Sequence, residues 1–181
     1  AAALAVQDPR ERPMDKQTEA DAAHAIFRDP DSDFLSYLKL WDWYRQQSKE
    51  VSTNRLRKLC QEHFLSFVRM REWHDIHAQV REMIMEMGIN RSTNRGYQIE
   101  PTDMPLPPKY GPIHRALLTG LLINVGQKTD GPEYTAPRGQ KFYIFPGSSQ
   151  FKKRPAWIMA AEIVETTKLY ARTVAGIMPH W

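Results

Sequence analysis

Between positions 141 and 168 the sequence groups the residue types that could hold a polyanion. Lys141-Phe142-Tyr143-Ile144-Phe145 alternates in the manner of a strand, with Phe142 and Ile144 on one face and Lys141, Tyr143 and Phe145 on the other. The turn that follows carries Ser148, Ser149, Phe151, Lys152, Lys153 and Arg154, and a second polar group, Thr166-Thr167-Lys168, lies a short distance on. Aromatic rings stack on bases for about 1–3 kcal/mol each, and basic groups neutralise phosphates and release counterions, so this composition suits a single-stranded nucleic acid. Residue types alone leave a second reading open, in which the rings fill a core and Lys152-Lys153-Arg154 is a solvated loop. Arg55, Arg57, Lys58, Arg69, Arg71 and Arg81 in the first half divide between the same two readings.

Other chemistries are poorly provided for. There is no GxxxxGK[ST] phosphate cradle and no strand-linked GxGxxG, so these residues by themselves are not expected to hydrolyse ATP. No GxSxG elbow is present, and Gly147-Ser148-Ser149 reads as a loop after Pro146. No catalytic residue is assigned. Cys60 and His63 are three apart, as are His74 and His77. Continuous helix would separate His63 from His74 by about 16 Å, too far for one zinc ion whose ligands sit at about 2 Å. Only a chain break near Ser66 could fold the pairs together, so no metal site is assigned.

The elements that must position these groups are bounded by composition. In 181 residues, 41% hydrophobic and 25% charged with mean hydropathy −0.58, there is material for one substantial core or two small ones. The longest uncharged apolar candidate, Ala116 to Val125, is far below the roughly 18 residues of a membrane span, so no membrane partner is expected. One cysteine excludes an intrachain disulfide and points to a reducing compartment, the cytoplasm. The net charge of +4 is unevenly spread: residues 1–33 hold 4 basic and 8 acidic side chains, so the remainder is strongly basic. With Ala1 in place of an initiator Met, the chain reads as an excised piece of something longer.

A short helix is predicted over Asp15 to Phe27 with Asp15 as N-cap, then a second capped by Ser32 and running through Gln47. The latter's apolar face, Phe34, Leu35, Tyr37, Leu38, Leu40, Trp41 and Tyr44, must be buried. Ser52 opens a long helical stretch whose stripe continues through Met70, Trp73, Val80, Met83, Ile84 and Met87 to a stop at Gly88, with a break expected near Ser66. Asn90 to Pro112 reads as an extended connector, Pro112 as the first position of a helix ending at Leu121. Five strands follow, at 122–127, 133–136, 141–145, 156–166 and 169–177, which suit a small closed barrel because closure hides the edges. The fold class is α+β: a helical bundle with its Pro-rich connector over 1–112, then a five-stranded barrel over 113–181.

The order of segments resembles a known family. Asp8-Pro9-Arg10-Glu11-Arg12-Pro13, Ala20-Asp21-Ala22-Ala23-His24 and Ser32-Asp33-Phe34-Leu35 resemble the helicase-associated region of DEAH-box ATP-dependent RNA helicases of the bacterial HrpA type. Cys60 through Phe67, Arg71-Glu72-Trp73 and Gln79-Val80 are similar to its helical ratchet. Ala116 through Leu122, Tyr134-Thr135, Phe145-Pro146-Gly147-Ser148, Pro155-Ala156-Trp157 and Glu165 through Lys168 are similar to the OB-fold that follows it. The resemblance implies a parent that couples ATP and magnesium chemistry in two RecA-like domains to movement along single-stranded RNA. This chain would carry neither domain and bind no cofactor itself. It also implies that the barrel can dock a protein partner or the RecA-like core, and that Phe145, Ser148 and Thr166-Thr167-Lys168 lie near RNA. Relatives often carry His at position 145 and Ser at 147.

Overall fold

The computed structural model describes residues 1–89 and 109–181, so most of the expected connector lies outside the described residues. Among the described residues, five α-helices precede a closed five-stranded barrel. The described residues divide into two compact units. One comprises 1–27 and 39–89; the other comprises 28–38 and 109–181. Residues 28–38 thus cluster with the barrel.

In the first unit, α1 spans Gln17–His24 and continues as a 3-10 turn, Ala25–Phe27. Asp15 does not cap it, because Lys16 closes a turn onto the Pro13 carbonyl (3.1 Å) and itself takes the N-cap position. Helix α2 runs Asp33–Glu50, three residues past the expected end, and its residues from Lys39 on belong to this unit. The predicted break at Ser66 is present. Helix α3 (Thr53–Glu62) is capped by Ser52 Oγ, which accepts the Arg55 N–H, and α4 (Phe67–Glu86) by Ser66 Oγ, which accepts that of Arg69. Between them Phe64 takes a left-handed φ of 53° and turns the chain. Gly88, at φ 70°, ends α4: its N–H bonds Met85 O and that of Ile89 bonds Ile84 O. This is the Schellman pattern, which glycine adopts without a Cβ penalty.

The core of this unit is aromatic. Trp41 lies 5.0 Å from Trp73, Phe27 meets Trp43 edge-on at 5.3 Å, and Leu40, Tyr44, Leu56, Cys60 and Met70 are buried around them. Of the α2 face, Leu40, Trp41 and Tyr44 are buried in this unit; Phe34, Leu35 and Tyr37, which belong to the other, are buried too, whereas Leu38 is 42% exposed. The α4 stripe departs from expectation beyond Val80. Met83, Ile84 and Met87 are 60%, 41% and 72% exposed.

In the second unit, α5 spans Tyr110–Leu121, so Pro112 is its third residue rather than its first. The position is still tolerated because the first-turn N–H groups have no intrahelical acceptor. Leu122–Asn124 form a 3-10 turn instead of the start of a strand, and Asn124 Nδ2 is tied to Ala161 O at 3.0 Å. The strands are β1 Val125–Lys128, β2 Tyr134–Thr135, β3 Lys141–Ile144, β4 Trp157–Glu165 and β5 Leu169–Gly176. Their order around the closed barrel is β1-β2-β3-β5-β4, with β3 and β5 parallel and the other neighbours antiparallel. Tyr134, Phe142, Ile144, Ile158, Ala160, Ala171 and Val174 fill the interior. Phe142 and Ile144 point inward while Lys141 and Phe145 stay exposed, as the alternation requires.

Candidate nucleic-acid interface

Two strands place side chains of the same kind on the outside of the barrel. Tyr143 and Phe145 follow one another along β3 and its exit, and Tyr170 and Arg172 do so along the parallel neighbour β5. Tyr170 stands between the other two rings, 6.2 Å from Tyr143 and 6.1 Å from Phe145, meeting the latter edge-on at 87°. Each of those rings carries a cation: Lys168 Nζ lies 4.5 Å from the Tyr143 centroid and the Arg172 guanidinium 4.7 Å from that of Phe145. Thr166, Thr167 and Lys168 form the exposed tip of the β4–β5 hairpin, closed by the Thr166 N–H on Lys168 O at 2.9 Å. At the rim, Glu133 accepts from Lys141 Nζ at 2.6 Å and from the Tyr143 hydroxyl at 3.4 Å. The Lys141 ammonium holds Glu133 below the usual carboxylate range, and the carboxylate in turn raises Lys141.

The remaining expected residues lie on the turn between β3 and β4, where their side chains are differently employed. Ser148 Oγ donates to Asp33 Oδ2 (2.5 Å); the Ser149 N–H (2.9 Å) and Oγ (2.7 Å) donate to Asp33 Oδ1. The Val174 N–H of β5 also donates to Oδ2, at 2.9 Å. One carboxylate on the first residue of α2 therefore accepts four hydrogen bonds and ties this turn to β5. Lys153 pairs with Asp31 at 2.7 Å, Arg154 donates to the Gly131 carbonyl, and Gln150 Nε2 reaches Pro30 O at 3.1 Å. The acidic residues at 29–33 thus lie against the basic turn. Arg28, Pro30, Pro146, Phe151, Lys152 and Lys153 border an open cleft of about 420 Å³ here, with Phe151 43% exposed.

The expected site accordingly falls into two groups: Phe145 with Thr166, Thr167 and Lys168 near the ring ladder, and Ser148, Ser149, Lys152 and Lys153 around the Asp31–Asp33 anchor. Sequence reasoning did not single out Tyr143, Tyr170 and Arg172 as site residues, although the alternation Lys168, Tyr170, Arg172 carries the signal. Asp33 had no local signal, because its partners are 115 to 141 residues away.

The cysteine and histidine pairs are used in packing. Cys60 is buried and its thiol is pushed up to about 11 by burial. His63 Nδ1 donates to Leu59 O at 2.9 Å with its ring 4.8 Å from Trp43, whereas His74 and His77 lie against Trp41. Among the described residues no group of three or more His, Cys, Asp or Glu could hold a metal ion.

A closed five-stranded barrel of this strand order, following a helical segment, defines the second unit as an OB-fold. The family model described as the oligonucleotide/oligosaccharide-binding (OB)-fold matches residues 113–181. Over 99% of its length the chain is homologous to ATP-dependent RNA helicases: it is 46% identical over 180 residues to the ATP-dependent RNA helicase HrpA of Escherichia coli (strain K12). It is 44% identical over 180 residues to the HrpA homolog of Haemophilus influenzae, and 27% identical over 189 residues to the pre-mRNA-splicing factor ATP-dependent RNA helicase prp22 of Schizosaccharomyces pombe, each again over 99% of the chain. The chain spans only 13–14% of the length of these relatives. No described helix is long and apolar enough to cross a membrane.

Proposed function

We propose that this chain is an RNA-gripping module of a cytoplasmic ATP-dependent RNA helicase, in which ATP and magnesium are used by RecA-like domains elsewhere in the same polypeptide. The observation that carries this reading is the ladder of Tyr143, Tyr170 and Phe145, each outer ring paired with a cation, beside the Thr166–Lys168 hairpin tip. Rings supply sequence-tolerant stacking and cations supply phosphate contacts, the pairing that single-strand binding requires. Lys152, Lys153 and Arg154 would extend the basic surface along the β3–β4 turn. Ser148 and Ser149 would serve RNA by holding that turn on Asp33 rather than by touching phosphate. Similarity to RNA helicases over 99% of the chain supports the assignment of RNA as the polymer.

The test is binding of fluorescein-labelled single-stranded RNA to the 181-residue chain over a series of salt concentrations. Affinity should exceed that for polyglutamate at matched ionic strength and should fall as salt rises. Equal affinity for the two polymers would overturn the reading. In a second reading the barrel docks a protein partner or the RecA-like core. It is favoured by Leu122 and Ile123, which expose 60% and 73% of their surface with no cation paired to them in the manner of the rings.

A further inference from the structure

The outer face of β5 holds an arginine whose setting is incomplete. Arg172 lies over the Phe145 ring, and its Nε is buried without a hydrogen-bond acceptor. Its cross-strand neighbour in the β4–β5 ladder is Glu162, yet no ion pair joins them. Charged guanidinium groups that are partly covered normally meet a carboxylate or another acceptor, because a covered donor loses water and gains nothing. Here the aromatic ring holds the group in place and leaves its remaining N–H groups for an acceptor that the described residues do not supply. A planar fork of donors fits the paired oxygens of a phosphodiester.

The spacing agrees with that acceptor. Tyr170 and Arg172 are two residues apart on β5, about 6.7 Å along an extended strand, a step comparable to that between successive phosphates of an extended single strand. Lys168 stands two residues on the other side of Tyr170, on the Tyr143 ring, so the two cations are about 13 Å apart along the strand, two such steps. We propose that Arg172, held against Phe145, is the phosphate anchor of a site the size of a trinucleotide. In that site Lys168 contacts the phosphate two steps along and Tyr170 is the platform for a base between them. This rests on the RNA reading above and gives it a direction: the strand lies along β5 instead of crossing the sheet.

The test compares Arg172→Ala, Arg172→Lys, Phe145→Leu and Lys168→Ala in the 181-residue chain, using a labelled oligouridylate and a salt series, with thermal melts to establish that each variant folds. Removing one phosphate contact should lower the slope of log K against log salt by about 0.7, so Arg172→Ala and Lys168→Ala should each show that loss with roughly tenfold weaker binding at low salt. Arg172→Lys should keep the slope but bind several-fold more weakly, because an ammonium lacks the fork. Phe145→Leu should weaken binding in the same way, since the guanidinium loses its seat. Wild-type affinity and slope in Arg172→Ala, with Lys168→Ala still impaired, would overturn the proposal and leave the RNA reading intact. Full restoration by Arg172→Lys would also overturn it. Should Arg172→Ala fail to fold, Arg172→Lys and Phe145→Leu decide the matter by the same criteria.

Discussion

His114 shows how one buried residue sets an acid limit on the fold. It is fully buried, stacked 3.8 Å from the Tyr110 ring. Its Nδ1–H donates to Tyr110 O at 2.7 Å, so Nε2 accepts from Ser32 Oγ at 2.6 Å. Ser32 Oγ already accepts from the N–H groups of Phe34 and Leu35, capping α2, and has no room for another donor. Burial accordingly depresses the imidazole to about 4 from 6.5. Below pH 6.5 the unfolded chain takes up a proton that the folded chain refuses until about pH 4, so stability is full above 6.5 and declines as pH falls through that window. The decline attributable to this residue is on the order of 3 kcal/mol. Urea denaturation of His114→Gln between pH 7 and 4 should show a flatter pH dependence than wild type. Equal dependence in the two would exclude His114 as the cause.

At the scale of elements, β5 departs from regular alternation in a way that joins core and surface. Thr173 has φ 54°, an uncommon conformation for a β-branched residue. Ala171 is buried on one side of it and Val174 on the other, so the kink changes which parity faces inward. The Val174 N–H goes to Asp33 at this point. The five strands and the Ser66 break were legible because they rest on local signals: alternation, turn residues and capping serines. The kink and the Asp33 anchor were not legible, since both depend on residues more than 100 positions apart. The same holds for Ser148 and Ser149, whose types suggested ligand contact but whose hydroxyls are used by Asp33. Glycine 126 of β1 marks a further long-range constraint. A Cβ there would run into the Phe142 ring and lie 3.1 Å from Tyr134 Cβ. Gly126→Ala should destabilise the barrel by about 1–3 kcal/mol, the usual cost of overpacking, measurable as a lower urea midpoint at unchanged m-value. An unchanged midpoint would mean that the β1–β3 packing yields more easily than this geometry allows.

At the scale of the molecule, the second unit is assembled from two stretches of chain. Residues 28–38 bring Ser32, which bonds His114, and Asp33, which bonds the β3–β4 turn and β5; Tyr110 in turn donates to Gly176 O at 2.8 Å. A chain beginning at residue 109 should therefore unfold at lower urea and less cooperatively than the full 181 residues, and a peptide covering 28–50 should restore part of the loss. If the shorter chain matched the full one in urea midpoint and in m-value, residues 28–38 would be ornamental to the barrel.

The interrupted make-up of this unit bears on how such barrels can be shuffled between proteins. Transplanting the stretch from 109 onward as a contiguous cassette would leave behind the carboxylate that clips its longest turn. A recipient would have to offer an acidic residue of its own at that spot. Inheritance of the barrel is thus bound to inheritance of a segment more than seventy residues upstream.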